Sequence, residues 1–225
     1  MTEHYKTFGL DINIDDSKLL NDDLKGRLKG QTWEQVEAKA VGYIGPNACV
    51  LELGACIGIV ACLINNKISD KTKQVSIETN PDLIEQLTRV RDENNCKFEI
   101  VNSFLDTSIV NKKFSIHPTH AMGGRLGEVA GWKQVEKQSV TIESLEEKYG
   151  LKFDTLVMDI EGGEFSLWRE GFFTDKYIAN INLMMIEFHA DQQCSKMKEE
   201  LRHNFEEIVI SSSGGCHSVI VYKRK

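Results

Sequence analysis

No run of apolar residues in this sequence is long enough to cross a membrane. The longest, Leu53–Ile64, has 12 residues and contains two glycines, against about 20 for a helical span. The opening residues, Met1-Thr-Glu-His-Tyr5, lack the apolar centre of a secretory signal. Paired cysteine motifs are missing too: the six cysteines, at 49, 56, 62, 96, 194 and 216, form no CxxC and no Cys/His cluster at zinc spacing. Cys49, Cys56 and Cys62 lie in or beside an apolar run, where a free thiol behaves as a small hydrophobe. A reducing compartment and a cytoplasmic location are therefore expected. Basic residues are in deficit, 27 against 34 acidic, and the formal charge of −7 repels a phosphate backbone overall. Nucleic acid is accordingly not expected as a partner. Local gatherings of base, Lys25/Arg27/Lys29 and Lys223–Lys225, read as solvated faces or tails.

What is present suits one folded core. Hydrophobic residues make up 41% and charged residues 27% of 225, ordinary values for a soluble globular chain of that length. Residues 1–45 read as an N-terminal arm with a lead-in helix, and 46–225 as one domain. The first 30 residues are polar and poor in periodicity, which predicts short turns or a flexible arm. From Thr32, an N-cap candidate, Trp33, Val36, Ala40, Val41 and Ile44 recur at helical spacing until Gly45-Pro46.

Short apolar runs then alternate with amphipathic segments. Strands are predicted at Cys49–Leu53, Gln74–Thr79, Lys97–Asn102, Asp154–Ile160, Asn182–His189, Phe205–Ser211 and Ser218–Lys223. Helices are predicted at Ile59–Ile68, Asp82–Asn94, Ile142–Lys148, Glu164–Glu170 and Gln193–Asn204. Such alternation predicts an α/β fold with a parallel sheet and helices on both faces. Only Ser212–Gly215 separates the last two strands, so they form an antiparallel hairpin. A seven-stranded, mostly parallel sheet ending in such a hairpin is the class I methyltransferase version of the Rossmann-like fold. Residues 105–140 break the alternation. They contain His117, His120 and several glycines, and are expected to be an insertion that covers the acceptor.

Two motifs predict a nucleoside ligand. In Val50-Leu-Glu-Leu-Gly-Ala-Cys-Ile-Gly58 a strand meets an acidic residue, then glycines four apart, then a helix. Gly54 permits a tight turn with close approach of a ligand, Gly58 opens the helix, and the positive helix end faces a carboxylate. Glu52 stands near an amino group of the ligand. A dinucleotide site would read GxGxxG; the GxxxG spacing favours S-adenosylmethionine, which has no phosphate. The second motif, Val75-Ser-Ile-Glu-Thr-Asn-Pro81, ends a strand with Glu78, 20 positions after Gly58, where a carboxylate can accept from both ribose hydroxyls. Asn80 is a helix-capping candidate, and Ser103, after the third strand, is placed at the adenine edge.

The acidic run Met158-Asp-Ile-Glu-Gly-Gly-Glu164 follows the fourth strand and Glu187-Phe-His189 ends the fifth. Strand carboxyl ends line the ligand cleft. Two carboxylates crowded there, Asp159 and Glu161, raise one pKa and suit one to accept a hydroxyl proton; His189 or Asp159 is the candidate general base, with Glu161 and Glu187 orienting the acceptor. A shared magnesium ion is compatible with these oxygen ligands, although no metal ligand is assigned.

The segments VLELGACIG, IETNP, VMDIEGGEFSLWREG and MMIEFH resemble the FkbM-type methyltransferases, with their Asp-x-Glu-Gly-x-Glu signature and later Glu-x-His, over residues 31–190. The resemblance implies methyl transfer from S-adenosylmethionine to an oxygen of a sugar, glycan or similar small molecule. It carries over donor contacts at Glu52, Gly54, Gly58 and Glu78 and places Asp159 and Glu161 in the active-site motif; the reading of the residues adds Glu34, Ala55, Cys56, Thr79, Ser103 and Asp159 on the donor side and Glu187 and His189 as catalytic. Trp33-Glu34 stands where members have Tyr-Glu, and Cys56 where many have Asn. Alternatives are another acceptor, nucleic acid or an amine, a non-catalytic donor-binding protein, or an NAD-dependent enzyme.

Overall fold

The computed structural model describes residues 3–14, 22–119, 123–189, 192–212 and 217–225. His120 and most of the expected hairpin linker lie outside them.

The chain begins β1 (Glu3–Thr7), β2 (Leu10–Ile14), α1 (Asp22–Lys29), α2 (Gln35–Val41), β3 (Val50–Leu53), α3 (Ile59–Lys67) and β4 (Gln74–Ile77). A 3-10 turn at Pro81–Leu83 leads into α4 (Ile84–Glu93), β5 (Glu99–Val101) and β6 (Phe104–Leu105). Next come β7 (Asn111–Ile116), β8 (Arg125–Leu126), β9 (Lys133–Val140), α5 (Ile142–Tyr149) and β10 (Thr155–Met158). The rest is α6 (Gly163–Arg169), α7 (Asp175–Ile178), β11 (Leu183–Phe188), α8 (Cys194–Asn204), β12 (Phe205–Ser212) and β13 (Ser218–Arg224).

Seven strands form one mixed sheet in the order β12-β13-β11-β10-β3-β4-β5. The last five named run parallel, and β13 enters antiparallel between β11 and β12. Strands β3, β4 and β10 are buried at every position, as expected of parallel strands covered on both faces. Their side chains feed two cores. One joins Leu51, Leu53, Val75 and Leu156 to Phe165, Phe188 and Tyr222; the other joins Val50 and Val157 to Ile44, Ile64 and Val221. At α5 a capping box between Thr141 and Ser144, with Gly150 left-handed at the far end, sets the helix limits.

The N-terminal residues differ from the sequence expectation. Instead of short turns or a flexible arm, residues 3–14 make an antiparallel hairpin. Tyr5, Leu10, Ile12 and Ile14 are buried against Leu83, Leu87 and Val90. Asn94 locks it by accepting from the Asp11 amide at 2.8 Å and donating to the Asp11 carbonyl at 2.7 Å. The lead-in helix starts at Gln35 with Glu34 as its N-cap residue in a left-handed conformation (φ 59°), rather than at Thr32. Thr32 turns its hydroxyl toward the Arg27 carbonyl instead. Cys49, Cys56, Cys62 and Cys96 are free, whereas Cys194 is disulfide-bonded, an exception to the expected free thiols. No helix among the described residues is long and apolar enough to cross a membrane.

The insertion folds as a second sheet, β6-β9-β7-β8. Its strand β9 lies against the carboxyl ends of β4 and β5. Ser103 Oγ donates to the Gln138 carbonyl at 2.5 Å, and Lys137 Nζ donates to Asn102 Oδ1.

Candidate functional site

At the end of β3 the amides of Gly54 and Ala55 both donate to the Ile77 carbonyl, at 2.9 and 3.0 Å. Gly54 has φ +87°, and a Cβ there would stand 1.8 Å from the Asp159 carbonyl oxygen. The close approach that requires glycine is thus to the backbone after β10, where the sequence reading had placed a ligand. Gly58 has φ +95°, and a Cβ on it would meet Leu87 Cδ1 at 2.7 Å. Its demand is for packing of α3 against α4. Between these glycines Cys56 is also left-handed (φ 50°), and its amide donates to Glu78 Oε2 at 2.8 Å.

Glu78 is buried at the end of β4 and accepts a second bond, from the Asn80 amide to Oε1 at 2.6 Å. Burial pushes its carboxyl up to about 7, against the opposing effect of the backbone amides. Asn80 caps the next turn by accepting from the Asp82 amide. Thr79 and Ser103 are committed locally: Thr79 Oγ1 donates to the Ser103 carbonyl at 2.9 Å, and the Ser103 hydroxyl goes to β9. Glu52, also buried, accepts from Ser76 Oγ at 2.5 Å, and burial holds it at about 7.

A pocket opens between α2, α3 and the ends of β3 and β10. Glu34, Glu52, Gly54, Ala55, Cys56 and Asp159 line it, together with Trp33 and Glu37. Gly58, Glu78, Thr79 and Ser103 do not. Burial, reinforced by Glu37 and Glu187, pushes Glu34 well above the usual carboxylate range. Neither Glu34 nor Glu37 has an ion-pair partner among the described residues.

Beside this cavity, β10 and β11 bring an imidazole into a nest of carboxylates. Glu164, with no exposed surface, accepts from the Gly162 amide at 2.9 Å and from the His189 amide at 2.9 Å. The same Glu164 oxygen faces His189 Nδ1 at 3.2 Å, which places the proton on Nδ1 when the ring is neutral. Nε2 then faces Asp159 at 3.7 Å and Glu161 at 3.6 Å. Burial pulls the His189 pKa down, but Glu164 and the surrounding carboxylates outweigh it and the net shift is upward. Asp159 is raised well above its ordinary value by burial, then by Glu187, Glu34 and Glu161. Glu187 rises to about 7 through burial and Glu37, and pairs with His217 at 3.3 Å. Asp159, Glu187 and His189 each offer a ligand atom within 4.8 Å of the others, a set that could hold a divalent cation.

The four residues given catalytic roles from sequence therefore meet in one place. Glu37, Glu164 and His217 join them without having been foreseen. Only Glu164 had a visible signal, as the third acidic residue of the Asp-x-Glu-Gly-x-Glu run. His117 is elsewhere, edge-on to Trp132 at 4.5 Å in the insertion.

Residues 52–208 match the model of the methyltransferase FkbM domain. No match was found among curated proteins. Among solved structures, the chain is similar to the tRNA m1G37 methyltransferase of Methanocaldococcus jannaschii (15% identity, TM-score 0.50), covering 100% of this chain and 57% of that one. Trm5 of the same organism, solved in complex with adenosine, gives 15% identity and TM-score 0.50 over 100% of this chain and 54% of that one. A protein from Listeria monocytogenes serotype 4b gives 11% and 0.50 over 85% and 67%. At these identities the likeness concerns the fold. The chain spans little more than half the length of the two Methanocaldococcus proteins.

Proposed function

The chain belongs to the FkbM methyltransferase domain family, and from that membership we propose that it is an S-adenosylmethionine-dependent O-methyltransferase acting on a hydroxyl of a sugar, glycan or similar small molecule. The observation that carries the reading is His189. Its Nδ1 is anchored on buried Glu164 and its Nε2 is aimed at the end of the cavity that Asp159 shares.

The cavity fits such a donor by charge. Glu34, Glu37 and Glu52 line it without ion pairs among the described residues, and a ligand carrying a sulfonium and an ammonium group supplies the missing cations. When bound, the donor provides an electrophilic methyl carbon. Glu34, Glu52 and the turn at Gly54–Cys56 would hold its methionine half. Glu78, whose lone pairs are not exhausted by two backbone amides, would accept from ribose hydroxyls. His189 Nε2 would take the acceptor hydroxyl proton, leaving that oxygen free to receive the methyl group. Glu164 fixes the tautomer that makes this possible, and Asp159, Glu161 and Glu187 stabilise the imidazolium and orient the acceptor. Alignment in a closed site supplies much of the acceleration.

Calorimetry with S-adenosylmethionine and S-adenosylhomocysteine tests the donor. Radiolabelled donor against a panel of glycans, nucleotide sugars, small phenols and tRNA tests the acceptor. Turnover on hydroxyls of the saccharides is expected. Transfer to tRNA alone would overturn the acceptor class, and binding of NAD instead of either adenosyl compound would overturn the donor.

A further inference from the structure

The longest strand of the insertion is fastened to the residues that follow β5, through Ser103 and Asn102. Along β9, Val135, Lys137 and Ser139 occupy one face and are part-buried or buried, while Lys133, Gln134, Glu136 and Gln138 are exposed. A lysine on the inward face of a strand is costly to desolvate. This one also stands directly across from Lys112 in β7, a like-charge pairing that weakens a ladder. Lys112 has anions of its own, Asp106 and Glu170. Lys137 has only the side-chain oxygen of Asn102 among the described residues. An ammonium has three N–H donors, so two remain to be used.

Asn102 places that ammonium. Its amide donates to the carbonyls of Glu78, at 2.8 Å, and Thr79, at 3.2 Å, so Lys137 sits over the paired ends of β4 and β5. Burial pulls the Lys137 pKa below its ordinary range, and the negative charge of Glu78 works against that. The Cys56 thiol and Glu52 on β3 are also within electrostatic reach of Glu78, and Lys133 on the same strand as Lys137 pairs with Asp82 at 2.7 Å.

We propose that Lys137, carried by the insertion, is a donor-binding residue: its ammonium, aimed by Asn102, donates to the hydrogen-bond acceptors of the adenosine half while neighbouring Glu78 accepts from the ribose. The insertion is then part of the donor site. This rests on the donor reading given above and names a residue that the sequence motifs did not contain.

Calorimetry with S-adenosylhomocysteine and with adenosine tests it on the full chain. Lys137→Met is expected to lower affinity for both about tenfold, the weight of one charged hydrogen bond. Lys137→Gln, which can still donate to Asn102, should lose as much, whereas a merely structural lysine would be rescued by it. The pH at which S-adenosylhomocysteine affinity half-declines on acidification should rise in Lys137→Met and become insensitive to Lys137 in a Glu78→Gln background. Wild-type affinity in both Lys137 variants would overturn the proposal, as would full rescue by glutamine. If the wild-type protein bound neither compound, it is the donor reading that would fall.

Discussion

The two halves of the site are built from different materials. On the proposed donor side the decisive geometry belongs to the backbone: amides at Gly54, Ala55 and Cys56 aimed at Ile77 and Glu78, and two glycines whose missing Cβ lets neighbouring elements close up. On the acid–base side it belongs to side chains, as His189, Asp159, Glu161, Glu164 and Glu187 crowd the ends of β10 and β11. A backbone site tolerates little change without losing the fold. A side-chain site loses function residue by residue while the fold stands.

That contrast breaks most visibly at Gly54. Gly54→Ala would set a Cβ against the Asp159 carbonyl in a left-handed conformation, and is expected to cost on the order of 3 kcal/mol or more of stability. Thermal denaturation should show this together with lost donor binding; a variant as stable as wild type would erase the distinction. His189→Ala should instead leave melting and S-adenosylhomocysteine affinity intact while turnover drops by about 10²–10⁴, measured with radiolabelled donor. Glu164→Gln should be milder, about 10–100-fold, since it disturbs orientation rather than removing the base. Glu164 raises the His189 pKa, so its removal lowers that pKa. The base must be neutral to work, and the acid limb of the rate profile should move to lower pH.

A smaller effect concerns pH and the unliganded fold. Glu52, Glu78 and Glu187 titrate near 7 when folded and nearer 4.5 when unfolded. The folded state therefore binds more protons between those values, and stability falls as pH rises through that window. Melting temperature without ligand should decline from about pH 5 to about pH 8, and the stabilisation given by S-adenosylmethionine should grow over the same range. The smallest expected effect is that of chelation. EDTA should leave turnover unchanged, and a loss restored by magnesium would reassign Asp159, Glu187 and His189 as ligands.

What could be read from the sequence follows the same division. The turn at Gly54–Gly58 and the acid ending β4 are contiguous in the chain, so their spacing speaks directly of the strand-turn-helix they form. The buried runs of β3, β4, β10 and β11 were legible for that reason too. Glu37 was not, because only the packing of α2 beside α3 brings it to Asp159. His217 reaches Glu187 through the antiparallel register that sets Val219 opposite Glu187, which no local pattern encodes. The N-terminal hairpin escaped because its alternation, Tyr5, Thr7, Leu10, Ile12, Ile14, is split by Phe8-Gly9 into two five-residue strands. Thr79 and Ser103 were placed correctly at strand ends, but their hydroxyls are consumed by tying those ends to one another and to β9.

The insertion of β13 between β11 and β12 also orders events during synthesis. Until residues 218–224 have left the ribosome, β11 presents its outer edge, from Leu183 to Phe188, with no neighbour to pair it. Glu187 on that strand and His189 just after it thus wait for the last strand of the sheet, after the turn at Gly54–Gly58, more than a hundred residues upstream, has had time to form. A nascent chain stalled short of that strand would carry a finished glycine turn and an open, aggregation-prone margin beside His189.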